Sequence, residues 1–173
     1  MNLIITSSRH LESDASKEMS EILDELGDSK ATVEISDLSG ILTATTSLDP
    51  FLVVKKIREK ILDEPWMIRY CLRVIPLLET VYTTKEDIVN SVLSHVNVMQ
   101  LQDTYRITVE KRHSEISTSE IINEVADKIQ NKVSLEKFDW IILIEILGKK
   151  TGITILKDVD ILSTQKTKRS LSE

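Results

Sequence analysis

Asp139-Trp140-Ile141-Ile142-Leu143-Ile144-Glu145-Ile146-Leu147-Gly148-Lys149-Lys150-Thr151-Gly152-Ile153-Thr154-Ile155-Leu156 is the stretch on which the reading turns. It predicts two apolar strands, Asp139–Leu147 and Thr151–Leu156, joined at Gly148-Lys149-Lys150 as a β-hairpin. The run Ile141–Ile144 has the length of a buried strand, and Glu145 interrupts it. That carboxylate belongs either at a sheet edge or in an ion pair. Upstream, Ser117-Thr118-Ser119-Glu120 forms a capping box before a helix with Ile121, Ile122, Val125 and Ile129 at helical spacing. Before it, Thr104 to Val109 is strand-like, with Tyr105, Ile107 and Val109 on one face. Thr83-Thr84-Lys85-Glu86 predicts another capping box, Thr83 to Glu86, opening a helix with Ile88, Val92, Leu93 and Val96.

The first half has a different order. Leu3 to Ile5 reads as a buried strand. Asp14 is placed as the cap of a helix carrying Ala15, Met19, Ile22, Leu23 and Leu26, with Gly27 as its stop. Val33 and Ile35 mark a half-buried strand, Asp37 to Gly40 a tight turn, and Gly40 to Thr45 the partner strand. Asp49-Pro50 starts a helix with Leu52, Val53, Ile57 and Ile61, which Pro65 ends. Ile68 to Ile75 reads as the last strand. Strand, helix, strand, strand, helix, strand is the ferredoxin-like split unit, with both helices on one face of the sheet.

Composition narrows the class. The chain has 173 residues, 41% of them hydrophobic, enough for a real core. No apolar run approaches the ~18 residues of a membrane span, and the N-terminus lacks a leader pattern, so a cytoplasmic protein is expected. The single Cys71 excludes an intramolecular disulfide and a cysteine-rich zinc site. A net charge of −6 argues against nucleic-acid binding through overall charge, so any such binding needs a local basic patch. Residues 161–173 are polar and expected to be a disordered tail.

The usual catalytic constellations do not assemble in the sequence. His10, His95 and His113 have no second histidine or cysteine at metal-ligand spacing. Cys71 sits among apolar strand residues, which favours an inert core thiol over a nucleophile. Gly148-Lys149-Lys150-Thr151-Gly152 loosely resembles a phosphate-binding loop, but Leu143 stands where the first glycine belongs. Asp139 and Glu145 on one strand would lie ~20 Å apart, too far for joint acid–base work.

Basic residues gather in three places: Arg106 with Lys111-Arg112-His113, Lys132 with Lys137, and Lys149-Lys150. Such groups bind phosphate oxygens, and a Lys-Arg-His loop beside a capped helix could cradle a phosphate. Solvated surface charge is the competing reading of the same residues.

A resemblance adds to this. Tyr105-Arg106-Ile107-Thr108-Val109-Glu110-Lys111-Arg112-His113-Ser114, the capped helix, Val133 to Ile141, Ile144-Glu145-Ile146 and Gly148 to Ile153 together resemble a THUMP domain. Leu72-Arg73-Val74-Ile75-Pro76 resembles the run that leads into it, and Phe138 stands where many members have proline. The fold expected is therefore α/β (α+β): a ferredoxin-like unit over 1–75, then a THUMP domain over 76–160. The resemblance implies binding near the acceptor stem and 3′ end of tRNA. It is similar to stand-alone members without a fused catalytic domain, non-enzymatic adaptors that deliver tRNA to a separate cytidine acetyltransferase making 4-acetylcytidine. The RNA-binding residues it suggests are Lys111 and Arg112 on phosphates, with His113, Lys132, Lys137, Lys149 and Lys150 in support. Arg73 could contact RNA or serve as a structural ion pair between the two units. Tyr105 and Trp140 could stack on bases, though their apolar neighbours favour the core. No metal and no cofactor are expected. Two other readings stay open: a protein-interaction module with weak or lost RNA binding, and an unrecognised enzyme.

Overall fold

The computed structural model describes residues 1–173. The chain divides into two compact units: Met1–Pro76 together with Val159–Glu173, and Leu77–Asp158. No helix is long and apolar enough to cross a membrane.

The first unit runs β1 (Leu3–Thr6), α1 (Glu12–Glu25), β2 (Thr32–Ile35), β3 (Ile41–Thr45), α2 (Pro50–Asp63) and β4 (Arg73–Pro76). The four strands pair antiparallel in the order β4-β1-β3-β2, the ferredoxin-like arrangement. Alternation along each strand puts Leu3, Ile5, Leu42, Ala44 and Val74 on one face, where they pack with Ala15, Met19 and Leu23 of α1 and Val53, Ile57 and Ile61 of α2. Asp49 caps α2 by accepting from the Phe51 N–H at 2.9 Å.

Several expectations shift here. Helix α1 starts at Glu12, so Asp14 lies within its first turn, where a carboxylate favours the helix dipole without capping. Leu52 is exposed, and Val54 takes the buried place beside Val53. The last strand begins at Arg73 instead of Ile68, because the N–H groups of Arg69 and Tyr70 both donate to the Glu18 carboxylate at 2.7 Å. A chain held there by a helix side chain is not available to a ladder.

The expected disordered tail is ordered. Leu162–Ser163 forms β10 and pairs antiparallel with β4 as a fifth strand. Helix α5 (Thr164–Arg169) follows, capped by Ser163, whose hydroxyl accepts from the Lys166 N–H. One apolar side chain, the fully buried Leu162, anchors the segment. Thr164 and Lys168 reinforce it, donating to the carbonyls of Cys71 and Ile68, each at 2.6 Å. Cys71 is buried, its thiol donates to the Ala15 carbonyl at 3.5 Å, and burial pushes its pKa well above the usual thiol range.

Asp28 ties two turns of this unit together. Its carboxylate accepts from the Thr46 hydroxyl at 2.6 Å, the Ser47 N–H at 2.7 Å and the Lys30 N–H at 3.3 Å. The Thr46 bond first, then the Ser47 bond, hold its pKa below the ordinary aspartate value. A depressed native pKa contributes stability that is complete above the unfolded aspartate pKa and is lost as pH falls through the native one. Asp28→Asn is therefore expected to flatten the acid limb of a stability–pH curve measured by urea unfolding. An acid limb as steep as wild type would contradict this.

The second unit holds β5 (Glu79–Tyr82), α3 (Lys85–His95), β6 (Thr104–Arg112), α4 (Thr118–Lys128), β7 (Lys132–Val133), β8 (Trp140–Leu147) and β9 (Lys150–Leu156). The sheet order is β5-β9-β8-β6-β7, with β6 parallel to both β8 and β7. Ile142, Ile144, Ile146, Ile153, Ile155 and Tyr105 meet Ile88 and Val92 of α3 and Ile121 and Val125 of α4. The β8–β9 hairpin and the Ser117 cap are as the sequence predicts; Ser117 accepts from the Glu120 N–H at 3.3 Å. The α3 cap is Thr84, one residue later than expected, accepting from the Asp87 N–H at 3.1 Å. Thr83 is diverted to the Thr151 hydroxyl at 2.9 Å. Glu145 does not lie at a sheet edge, since β8 is flanked by β9 and β6. It is the ion-pair alternative that holds: Arg112 Nη1 is 2.9 Å from its carboxylate.

Candidate nucleic-acid interface

Topology decides where the basic residues go. β6 and β8 are parallel, so Arg112 and Leu147 end at the same edge of the sheet. β9 starts there at Lys150, and β5 ends there, since Tyr82 pairs with Lys150. Helix α3 follows β5 and helix α4 follows β6, so both begin at this end. Lys111, Arg112, His113, Lys149 and Lys150 thus share one end of the unit with two helix N-termini. Each terminus carries N–H groups without helical partners and a partial positive charge, a setting that suits anions.

Lys132 and Lys137 do not join them. Lys132 pairs with Thr104 at the start of β6, and the Lys137 carbonyl accepts from the Thr104 hydroxyl at 3.3 Å. The nine residues of β6 separate the two groups by about 26 Å. Arg73 belongs to the other unit, half-buried on β4 and paired with Thr6 and Ser163. Within the second unit the expected residues therefore fall into two groups, one at each end of β6.

Individual geometries refine the roles. Arg112 already gives one nitrogen to Glu145, whose side chain is 1% exposed, while the Arg112 side chain is 30% exposed and has further N–H donors. Lys111 Nζ donates to the Ile116 carbonyl at 3.1 Å. His113 has φ 53°, a left-handed conformation that turns the chain out of β6, and the Arg112 carbonyl accepts from the Gly148 N–H at 2.9 Å. Lys149 and Lys150 are exposed at the hairpin tip. Lys85, which the sequence did not single out, stands in the first turn of α3, 3.5 Å from Glu124. Glu86, Asp87, Glu115 and Glu120 occupy the same end, so the potential there is mixed.

The two candidate stacking rings do not serve. Tyr105 is fully buried in the core. Trp140 is half-buried, donates its indole N–H to Asp103 at 2.9 Å, and carries Lys157 Nζ 5.0 Å from its ring centre. Arg106 is likewise engaged, 6.0 Å above Phe138 with a 3.4 Å bond to the Leu135 carbonyl. The exposed ring of this unit is Tyr82, at 72%. No local signal marks it, because a lone tyrosine between Val81 and Thr83 gives no sign of facing water.

Comparison with known proteins agrees with this architecture. Residues 82–156 match the model of the THUMP domain. No curated protein matches the chain. PH1313 from Pyrococcus horikoshii Ot3 is similar in structure at TM-score 0.69 and 16% identity, covering 91% of this chain and 55% of its own. TrmN from Thermus thermophilus aligns at TM-score 0.57 and 11% identity, covering 90% of this chain and 45% of its own. A 4-thiouridine synthetase, solved as an RNA complex with bound ATP, aligns at TM-score 0.52 and 10% identity, covering 94% and 42%. The chain spans about half the length of these solved structures. At these identities the likeness shows the fold.

Proposed function

We propose that this chain, which contains a THUMP domain, is a tRNA-binding protein that presents the acceptor stem and 3′ end of tRNA to a separate tRNA-modifying enzyme. It catalyses no step itself in this reading, and the reaction it serves is 4-acetylcytidine formation by a tRNA cytidine acetyltransferase. A cytoplasmic location belongs to the same proposal. THUMP is an RNA-binding domain, and one structural neighbour is an RNA complex of a 4-thiouridine synthetase. The observation that carries the reading is the shared end of the second unit, where Lys111, Arg112, His113, Lys149 and Lys150 lie at the same end of the sheet as the starts of two helices.

A phosphate-based interface predicts tRNA affinity that falls steeply with salt, with a slope of roughly 0.7–0.9 per phosphate neutralised. Lys111→Ala/Lys149→Ala is expected to weaken tRNA binding about tenfold or more and to lower the salt slope by about 1–2. Removing the 3′ CCA should weaken binding further. Unchanged affinity and slope in the double variant would remove this end of the unit from the interface. The net charge of −6 favours a second reading, a protein-interaction module with weak or lost RNA binding. A stable protein partner together with no tRNA binding at physiological salt would select it.

A further inference from the structure

Strand register places four residues in one row across the end of the second sheet: Tyr82 opposite Lys150, Lys150 opposite Leu147, and Leu147 opposite Arg112. Directly paired residues share a face, so the phenol, the ammonium and the guanidinium stand on one side of the sheet, along about 14 Å. Tyr82 is the most exposed aromatic side chain of the protein, and β5 is an edge strand, so no further strand covers its outer side. A ring that size in water forgoes the stabilisation of burial, and no core cluster uses it. Beside it lies an open cavity of about 430 Å³ lined by Thr80, Val81, Tyr82, Asp87 and Lys150. A volume in this range suits one small organic group.

The chemistry of that lining is specific. An aromatic face takes a nucleobase by stacking, with any base accepted. A carboxylate accepts from an exocyclic amino group, which cytosine, adenine and guanine have and uracil lacks. In uracil the one ring N–H that could reach the carboxylate is flanked by two carbonyls that repel it. An ammonium next to the ring takes the phosphate of the same nucleotide. We propose that Tyr82, Asp87 and Lys150 form a pocket for one unpaired, amino-bearing nucleotide of single-stranded RNA, with the base on Tyr82, its amino group on Asp87 and its phosphate on Lys150, the next phosphate running toward Arg112. This deepens the tRNA-binding reading and rests on it.

The test uses the full chain and fluorescently labelled hexamers of cytidine, adenosine and uridine, beside intact tRNA. The cytidine and adenosine hexamers bind about five- to tenfold tighter than the uridine hexamer. Tyr82→Leu weakens tRNA and hexamers about tenfold, while Tyr82→Phe keeps most of the affinity. Asp87→Asn brings the three hexamers closer together. Urea unfolding of each variant confirms that the fold is intact, as expected for exposed positions. If wild type binds tRNA but Tyr82→Leu binds it equally well, or uridine binds as tightly as cytidine, the pocket is wrong and the tRNA reading stands. If wild type binds neither tRNA nor hexamers, the tRNA reading falls and the pocket with it.

Discussion

Arg112→Ala is expected to lower the unfolding free energy by about 3 kcal/mol, the low end of the range for breaking a buried ion pair. The loss arises from the partner left behind. Glu145 is 1% exposed in the middle strand of the second sheet, and Arg112 Nη1 sits 2.9 Å from its carboxylate. Without the guanidinium, a buried carboxylate loses its charge-assisted partner, and the cost of keeping it out of water is offset less. The Arg112 side chain is 30% exposed, so water screens part of the pair and keeps the effect modest for its class. Arg112→Ala/Glu145→Leu should recover at least half of the loss, because it removes the buried carboxylate along with its partner. Urea unfolding measures both variants. Wild-type stability for Arg112→Ala would show that the pair holds nothing. The result also bears on function: a loss of tRNA affinity in any Arg112 variant mixes binding with folding, which is why Lys111 and Lys149 make the cleaner test.

Gly40→Ala is expected to cost about 2–4 kcal/mol, with unfolding again the measurement. Gly40 has φ 74°, and a Cβ there would stand 2.7 Å from the Ser7 carbonyl oxygen, a backbone atom that cannot swing aside. That carbonyl belongs to the segment whose N–H donates to the Gly40 carbonyl at 2.9 Å, so the two chains cannot part without losing the bond. Glu12 adds a third constraint by accepting from the Gly40 N–H at 2.8 Å. Gly27 provides the comparison. Its φ is 108°, but a Cβ would meet nothing within 4 Å, so Gly27→Ala carries only the conformational penalty of about 1–2 kcal/mol. Equal losses in the two variants would refute a steric contribution at Gly40.

Much of the fold was legible because its signals are local. Met19, Ile22 and Leu23 recur at helical spacing, and Leu3, Ile5, Leu42 and Ala44 share a face through alternation. Ser117 and Asp49 announce their helices through short side chains that bond the next turn. Local signals failed wherever a distant group competed for the same atoms. Thr83 had the right spacing for a cap, but Thr151 claims its hydroxyl, and Thr84 caps instead. Ile68 to Leu72 had strand composition, but Glu18 claims the N–H groups of Arg69 and Tyr70. Residues 161–173 looked featureless because their one buried apolar side chain, Leu162, pairs with Val74, 88 positions away in sequence, and Thr164 and Lys168 bond to carbonyls as distant.

The candidate site shows the same division. The residue types that could meet phosphate, the β8–β9 hairpin and the resemblance to a THUMP domain were all readable from the chain alone. Periodicity, caps and turn residues depend on neighbours within a few positions, and these the sequence states directly. Only the tertiary structure decided that Lys111, Arg112, His113, Lys149 and Lys150 share an end with two helix N-termini, that Lys132 and Lys137 lie about 26 Å away, and that Tyr82 is the ring facing water. Those outcomes follow from strand order and direction, which are set by hydrogen bonds between segments tens of residues apart.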